Sequence, residues 1–212
     1  AYTTDGALRV YENCFGWQAG TCRLVPVWRS GGIYGADNAE IGAEITAEGK
    51  AVVCTAEPTA ESFFLFGISP ALCLSGHKHH LADYKYLNFR LKSDKEARFL
   101  GVVARSADGE VFRFDLMNGE AKEYDSLPLG CEFEDFSVCL ETGVRGDLAA
   151  LGFSEEQRKN FVQAEFLFRA KEPVKVWLRA VTLSDLNRSK RRETAAERVE
   201  ARGDTQLPEA GS

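Results

Sequence analysis

The sequence predicts an all-β fold, a β-sandwich, for most of the chain. Short apolar or alternating runs follow one another from Val10 to about Leu183, and Gly, Asp, Asn and Pro separate them. Strands give this pattern, whereas amphipathic helices give longer segments with apolar residues three or four apart. Runs at this spacing are typical of a β-sandwich. They are 51–55, 63–68, 86–93, 98–106, 110–116, 136–141, 164–170 and 174–183.

Two local signals refine this prediction. Asp108-Gly109 suits the positive φ values of a tight hairpin turn, so the strand ending near Ser106 should pair with the strand that starts at Glu110. Residues 145–163 interrupt the strand pattern. Ser154 is a suitable N-cap for the residues behind it, which predicts a short connection helix.

The chain is long enough for one main core. Of its 212 residues 44% are hydrophobic and 27% are charged, which favours a single sandwich domain over residues 1–185. Residues 186–212 have almost no large apolar side chains and many charges of both signs. We therefore predict a charged linker or tail there, with a helix-forming stretch at 193–202.

The charge and hydropathy of the chain argue against two classes of partner. A net charge of −6 disfavours a broad surface for phosphate groups, so nucleic acid is not expected. No apolar run approaches the roughly 20 residues of a membrane helix, so a membrane is not expected either. The chain begins at Ala1 without a signal segment, as expected of a mature product or an excised module.

The cysteines predict a secreted or extracellular protein. Their number is even, and six cysteines allow fifteen full disulfide pairings, so spacing alone does not select one. Sequential pairing would staple local hairpins or loops, whereas the alternative is a set of reduced, buried thiols in an intracellular protein. The residues are Cys14, Cys22, Cys54, Cys73, Cys131 and Cys139.

Three predicted strands divide into an apolar and a polar face, because side chains alternate along a strand. The inward sets are Leu87, Phe89 and Leu91, then Phe112, Phe114 and Leu116, then Val174, Val176 and Leu178. The outward sets are Tyr86, Asn88, Arg90 and Lys92, then Arg113 and Asp115, then Lys175, Trp177 and Arg179.

The outward sets have the chemistry of a sugar-binding surface. An aromatic ring stacks on the C–H face of a pyranose, and charged and amide groups bind its hydroxyls. Our hypothesis places Trp177 as the stacking ring and the polar residues around it as hydrogen-bonding partners. Trp28 and Tyr34, from a loop-rich stretch, would extend or wall the groove. The alternative is a solvated strand face in which other segments cover Trp177.

Three segments resemble a known family. They read "LRVYENCFGW", "LADYKYLNFRLKSD" and, after the Gly/Asp hairpin, "VKVWLRAVTLSD". In this order they resemble the galactose-binding-like jelly roll of non-catalytic carbohydrate-binding modules, over roughly residues 8–185. The middle segment matches the family pattern at Leu81, Tyr84, Leu87 and Phe89 and, with one residue of slippage, at Lys92. Two acidic positions of the family's closing strand are Arg179 and Ala180 here.

The resemblance implies a jelly-roll sandwich that binds a polysaccharide, a β-glucan, mannan or related cell-wall glycan, without catalysing a reaction. It also implies an attached catalytic or scaffolding partner, which the linker-like tail fits. Family members often hold a structural Ca²⁺, and Asp37, Asn38 and Glu40 offer oxygen ligands for one. No other cofactor is required.

Three alternatives remain open. The same fold serves in intracellular assembly factors and other interaction domains. A jelly-roll glycoside hydrolase would use a carboxylate pair, for which Glu132 and Glu134 are candidates. His77 and His79 project to the same side of an extended segment and would share a metal ion, although a solvated loop explains them as well.

Overall fold

The computed structural model describes residues 22–24, 27–29, 32–34, 39–57, 64–70, 83–145 and 150–193. These residues form strands and one short helix, and all strand pairs among them are antiparallel. The strands are β1 (Cys22–Leu24), β2 (Val27–Arg29), β3 (Gly32–Tyr34), β4 (Ala39–Thr46), β5 (Gly49–Ala56), β6 (Phe64–Pro70), β7 (Tyr86–Ser93), β8 (Ala97–Ser106), β9 (Val111–Asn118), β10 (Ala121–Glu123), β11 (Leu127–Pro128), β12 (Glu134–Arg145), β13 (Ala150–Gly152), β14 (Phe161–Ala170) and β15 (Val174–Ser184), and the helix is α1 (Glu155–Lys159).

One long sheet folds over on itself to make a sandwich. Its strand order is β1-β6-β14-β8-β9-β12-β7-β15-β5-β4. Although β7 and β14 are four strands apart along this path, the rings of Phe89 and Phe166 lie 4.8 Å apart between their centroids. The strands from β9 to β4 therefore form one layer, and the strands from β8 to β1 form the other. The predicted all-β sandwich is confirmed.

The core lies between these two layers. Every residue of the three inward sets predicted on β7, β9 and β15 is buried, as the period of two along a strand requires. Phe89 of β7 also packs edge-on against Phe99 of β8, with ring centroids 5.3 Å apart. Interlocking rings of this kind join the layers without leaving polar groups between them.

The predicted hairpin and helix are both present. The amide of Gly109, which has a φ of 87°, donates to the carbonyl of Ser106, and this turn joins β8 to β9. Ser154 caps α1 and forms a reciprocal capping box with Gln157. Among the described residues no helix is long and apolar enough to cross a membrane.

A β-bulge in β15 shifts the alternation of its side chains. Ala180 has a φ of 53°, and the register with β7 slips between Arg179 and Thr182. Beyond the bulge, Val181 and Leu183 point into the core. The three-residue spacing from Leu178 to Val181 records this slip in the sequence.

β4 was not among the predicted strands. It pairs with β5 along its whole length through a turn that ends at Gly49, whose φ is 117°. Its sequence "AEIGAEIT" contains only two large apolar residues, and one of them, Ile45, is exposed. A strand built from Ala, Gly and Glu gives too weak an alternation to be recognised.

Residues 186–193 of the predicted linker run from the outer face of the sandwich, at Asn88, to its end, where Arg192 lines a cavity. Asn88 of β7 donates a 3.0 Å hydrogen bond to the carbonyl of Leu186, and Asn118 of β9 donates one of the same length to the carbonyl of Arg192. The boundary predicted at residue 185 stays a prediction. The first part of the charged segment is nevertheless held by the sheet.

Candidate functional site

Trp177 is buried against the outer face of the sheet. It forms a small apolar cluster with Ala51 and Phe133, and 9% of its surface is exposed. Its Nε1 donates a 3.2 Å hydrogen bond to Oε2 of Glu44, and the Lys92 ammonium lies 4.9 Å from its ring centroid. The indole is therefore not an open ring in this structure, because it is stabilised by burial against these neighbours. Its role in ligand binding stays a prediction.

Asn88 is covered by residues 186–193, and only 2% of its surface is exposed. Its Nδ2 donates to the carbonyl of Leu186, while its Oδ1 accepts a hydrogen bond from the hydroxyl of Ser137. The hydrogen-bonding groups of Asn88 are therefore occupied by Leu186 and Ser137 in this structure. Its role in ligand binding stays a prediction.

Asp115 and Arg113 of β9 are engaged with nearby parts of the chain. The buried Asp115 carboxylate lies 2.7 Å from Nζ of Lys122 and accepts a hydrogen bond from Thr142. The hydrogen bond that Lys122 donates to Asp115 raises the pKa of the Lys122 ammonium. Arg113 donates a 2.8 Å hydrogen bond to the carbonyl of Asp125, and burial lowers the pKa of its guanidinium. Contacts within the chain therefore engage both side chains, and their roles in ligand binding stay predictions.

The sheet order separates several predicted site residues. β12 and β7 lie between β9, which holds Arg113 and Asp115, and β15, which holds Trp177. Three strand spacings amount to about 14 Å. Tyr86 precedes Arg90 by four residues on β7, which is about 13 Å, and burial raises the pKa of its phenol. The structure therefore does not bring Arg113, Asp115 or Tyr86 to the same place as Trp177.

Arg90 and Arg179 do come together. They are directly opposite each other in the pairing of β7 with β15, and Asp135 of β12 is opposite Arg90 on its other side. Oε2 of Glu48, from the turn between β4 and β5, lies 2.5 Å from Nη1 of Arg90 and 3.5 Å from Nη1 of Arg179. We call this patch the arginine surface. Its members are Glu48, Arg90, Phe133, Asp135 and Arg179.

The arginine surface has hydrogen-bond donors that the protein leaves unused. Arg90 donates a 2.9 Å hydrogen bond to the carbonyl of Phe133, and its Nε lies 3.4 Å from Oδ1 of Asp135. The Nε–H groups of Arg90 and Arg179 are buried and have no hydrogen-bond acceptor among the described residues. An unpaired donor of this kind costs about 1–3 kcal/mol. Because these two atoms are buried, a ligand at the surface would contact the exposed parts of the side chains, which are 30% exposed for Arg90 and 19% exposed for Arg179.

The predicted aromatic wall and calcium ligands fall largely outside the described residues. Trp28 and Tyr34 belong to the β2–β3 ribbon, in which each is paired with a residue of the other strand, and their side chains are outside the described part. Asp37 and Asn38 lie outside it too. Glu40 is exposed at the start of β4. A structural Ca²⁺ at these three residues stays a prediction.

The histidine alternative also falls outside the described part of the chain, because residues 71–82 are not described. Within the part that is described, no group of three or more His, Cys, Asp or Glu side chains is placed to hold a metal ion. A metal site at the histidines is therefore left as an alternative from the sequence.

The acidic residues at the start of β12 are paired with arginines. Oε2 of Glu134 lies 2.8 Å from Nη2 of Arg192, whereas Asp135 lies beside Arg90. Consecutive residues of a strand point to opposite sides, so Glu134 and Asp135 do not face each other across a substrate. The ion pair with Arg192 gives Glu134 a structural role, although Glu134 is a candidate catalytic carboxylate in the hydrolase alternative.

Cys54, Cys131 and Cys139 are free thiols. Sequential pairing would join Cys131 to Cys139, which are not bonded to each other in this structure. The six residues of β12 from Glu134 to Cys139 alone span about 16 Å, whereas the Cα atoms of a disulfide lie within about 7 Å. A secreted location stays a prediction without support from these three residues.

The free thiols should differ sharply in reactivity. Burial raises the pKa of Cys54 to about 12, whereas Cys131 is exposed. We expect iodoacetamide at pH 8 to alkylate Cys131 in the folded protein and Cys54 only after unfolding, because the thiolate is the reactive form. Peptide mass spectrometry measures both sites. Equal labelling of the two in the folded state would contradict the structure.

Sequence analysis did not identify Glu48 and Phe133 as site residues. Glu48 belongs to the turn of the hairpin whose first strand was not recognised, and Phe133 precedes β12 outside any predicted strand. It also did not reveal a cavity of about 580 Å³ at one end of the sandwich, which Arg98, Leu129 and Arg192 help to line. Loops distant in sequence build this cavity.

Solved structures of carbohydrate-binding modules are similar to the chain at low identity. The family 11 module of the cellulosomal cellulase Lic26A-Cel5E of Clostridium thermocellum is 14% identical with a TM-score of 0.47, covering 77% of this chain and 87% of that chain. The family 30 module of the cellulosomal cellulase Cel9D-Cel44B of the same organism is 10% identical with a TM-score of 0.42, covering 79% and 93%.

An exo-beta-agarase is 12% identical with a TM-score of 0.47, and the match covers 85% of this chain and 26% of that one. No protein-family model matches the chain, and no curated protein matches it. At these identities and TM-scores the similar structures assign neither a family nor a ligand. The fold that the described strands form is an all-β sandwich.

Proposed function

We propose that the chain is a non-catalytic module that binds a polysaccharide, a β-glucan, mannan or related cell-wall glycan, on the arginine surface. The observation that carries the proposal is the meeting of two partly exposed guanidinium groups, those of Arg90 and Arg179, over Glu48. The resemblance of the sequence to carbohydrate-binding modules supports it.

The chemistry of the patch suits a glycan. A guanidinium presents parallel N–H groups that bind two neighbouring hydroxyl oxygens, and a carboxylate accepts hydrogen bonds from hydroxyl groups. The patch offers both, because Glu48 and Asp135 are partly exposed beside the arginines. In this proposal Trp177 packs beside the patch, against Phe133, and does not stack on the sugar.

The same proposal includes an attached partner and an extracellular location for the module. A binding module without an active site of its own acts by holding an attached catalytic or scaffolding partner near the glycan, and a cell-wall glycan is reached outside the cell. Any Ca²⁺ at Asp37, Asn38 and Glu40 would be structural in this setting.

A second candidate is a non-sugar interaction domain. The observation that favours it is the burial of Trp177, since protein recognition does not require the exposed flat ring on which a pyranose stacks. The two candidates differ in ligand class. A protein partner would leave the chain without affinity for any glycan.

Affinity electrophoresis in gels that contain soluble glucans, mannans, xylans or galactans tests the proposed function. We expect at least one β-glucan or mannan to retard the folded protein relative to a gel without polysaccharide, whereas bovine serum albumin should be unaffected. Unchanged mobility in the whole panel would reject glycan binding and favour the interaction domain.

A further inference from the structure

Residues 186–193, which we call the strap, are held through their main chain. Asn88 donates a 3.0 Å hydrogen bond to the carbonyl of Leu186, and the amide of Arg188 donates one of 3.0 Å to the hydroxyl of Ser137. Both side chains come from the outer face of the sheet, on β7 and β12. Contacts to main-chain atoms hold an extended segment whatever its side chains are.

Asn118 of β9 holds the far end of the strap by both of its amide atoms. The amide of Arg192 donates to Oδ1 of Asn118 over 2.6 Å, and Nδ2 of Asn118 donates to the carbonyl of Arg192 over 3.0 Å. Next to it, Gly119 has a φ of 63°, and a Cβ there would lie 3.2 Å from the main-chain nitrogen of Arg191. The glycine therefore lets the strap approach closely.

The main-chain contacts do not select a particular peptide sequence, whereas the side chain of Arg192 does. Its Nη2 lies 2.8 Å from Oε2 of Glu134, and its guanidinium carbon lies 3.9 Å from the ring centroid of Phe136. The side chain is largely buried, and this burial lowers the pKa of the guanidinium. A buried, paired and stacked arginine is an anchor that lysine or alanine cannot replace.

We infer that this surface, which runs from the outer face at Asn88 and Ser137 to the end of the sandwich at Glu134 and Phe136, is a peptide-binding site for an extended segment in which an arginine follows the first bound carbonyl by six residues. The strap is its ligand in cis. The site-forming residues are Asn88, Asn118, Gly119, Glu134, Phe136 and Ser137. This inference goes beyond glycan binding and does not depend on it.

The position of the strap explains why it occupies the site. β15 ends at Ser184, so the strap follows it almost directly and is tethered beside its binding surface. A short tether gives an effective concentration on the order of millimolar. An external peptide with the same pattern therefore binds well only when the contacts of the strap itself are weakened.

A fluorescein-labelled peptide with the sequence of residues 186–193, LNRSKRRE, tests the inference by fluorescence anisotropy on the full chain. We expect the Arg192→Ala chain to bind this peptide at least tenfold more tightly than the unmodified chain does. The R192A peptide should lose at least tenfold in affinity for that variant. The K190A peptide, in which an exposed lysine is replaced, has the same charge as the R192A peptide and should lose less.

The Asn187→Ala chain provides a second weakened strap if Arg192→Ala disturbs folding, which circular dichroism reports. It removes the 2.7 Å hydrogen bond from Nδ2 of Asn187 to the carbonyl of Gly119 and leaves the binding surface unchanged. We expect the same order of peptide affinities with this variant. Absence of peptide binding to both variants, or equal affinity for the K190A and R192A peptides, would overturn the inference.

Discussion

Replacing Phe89 by alanine is expected to lower the free energy of unfolding by about 3–5 kcal/mol. Phe89 is fully buried, and its ring lies 5.3 Å from that of Phe99 and 4.8 Å from that of Phe166, between centroids. Because these contacts join the two layers, the cavity left by the substitution cannot close without moving one layer. Urea denaturation followed by circular dichroism measures the loss.

Two control variants make this test specific to the core. Phe89→Leu fills most of the cavity and should cost clearly less than alanine. Val111→Ala removes an apolar side chain that is 40% exposed on β9, and it should change the stability by no more than about 0.5 kcal/mol. Similar losses for Phe89→Ala and Val111→Ala would contradict the layered core.

Replacing Arg179 by alanine is expected to weaken binding of the glycan that retards the protein by at least tenfold, which corresponds to about 1.4 kcal/mol. The substitution removes the unpaired Nε–H and the Nη1 group that lies 3.5 Å from Glu48. The guanidinium also lies 5.6 Å from the ring centroid of Phe133, so its loss uncovers part of the patch. Isothermal titration calorimetry measures the affinity.

Arg145→Ala is the matched control for charge. Its guanidinium forms an exposed ion pair with Glu110, 2.8 Å between Nη2 and Oε1, outside the arginine surface. Both variants lose one positive charge, yet only Arg179→Ala should lose affinity. Equal affinity in Arg179→Ala and the unmodified chain, or equal losses in the two variants, would remove the arginine surface from the binding site.

The sequence predicted the elements that depend on local patterns. Alternation identified the buried faces of β7, β9 and β15, Asp108-Gly109 located a hairpin, and Ser154 located the cap of α1. Each of these signals lies within a few residues. β4 escaped because small and charged residues dominate it, so its pairing with β5 is determined by the partner strand and the turn at Gly49.

The site could be predicted only in part, because alternation gives the face of a side chain but not what covers it. The outward positions of Arg90 and Arg179 follow from the period of two. Phe133, which is distant in sequence, covers Trp177. Leu186 and its neighbours cover Asn88. The polar side chains of the strap predict a charged linker. The strap is nevertheless held through its main-chain atoms, which the pattern of side chains does not reveal.

The most direct test of glycan binding at the arginine surface is nuclear magnetic resonance during a glycan titration, observing the Nε–H signals of Arg90 and Arg179. The proposal expects both signals to shift in a saturable way, because a glycan bound at the exposed edges of the two guanidinium groups changes the surroundings of each Nε–H. The side-chain amide signal of Asn88 should stay in place under the strap. Unchanged arginine signals with shifts centred on Asn88 or Arg113 would contradict it.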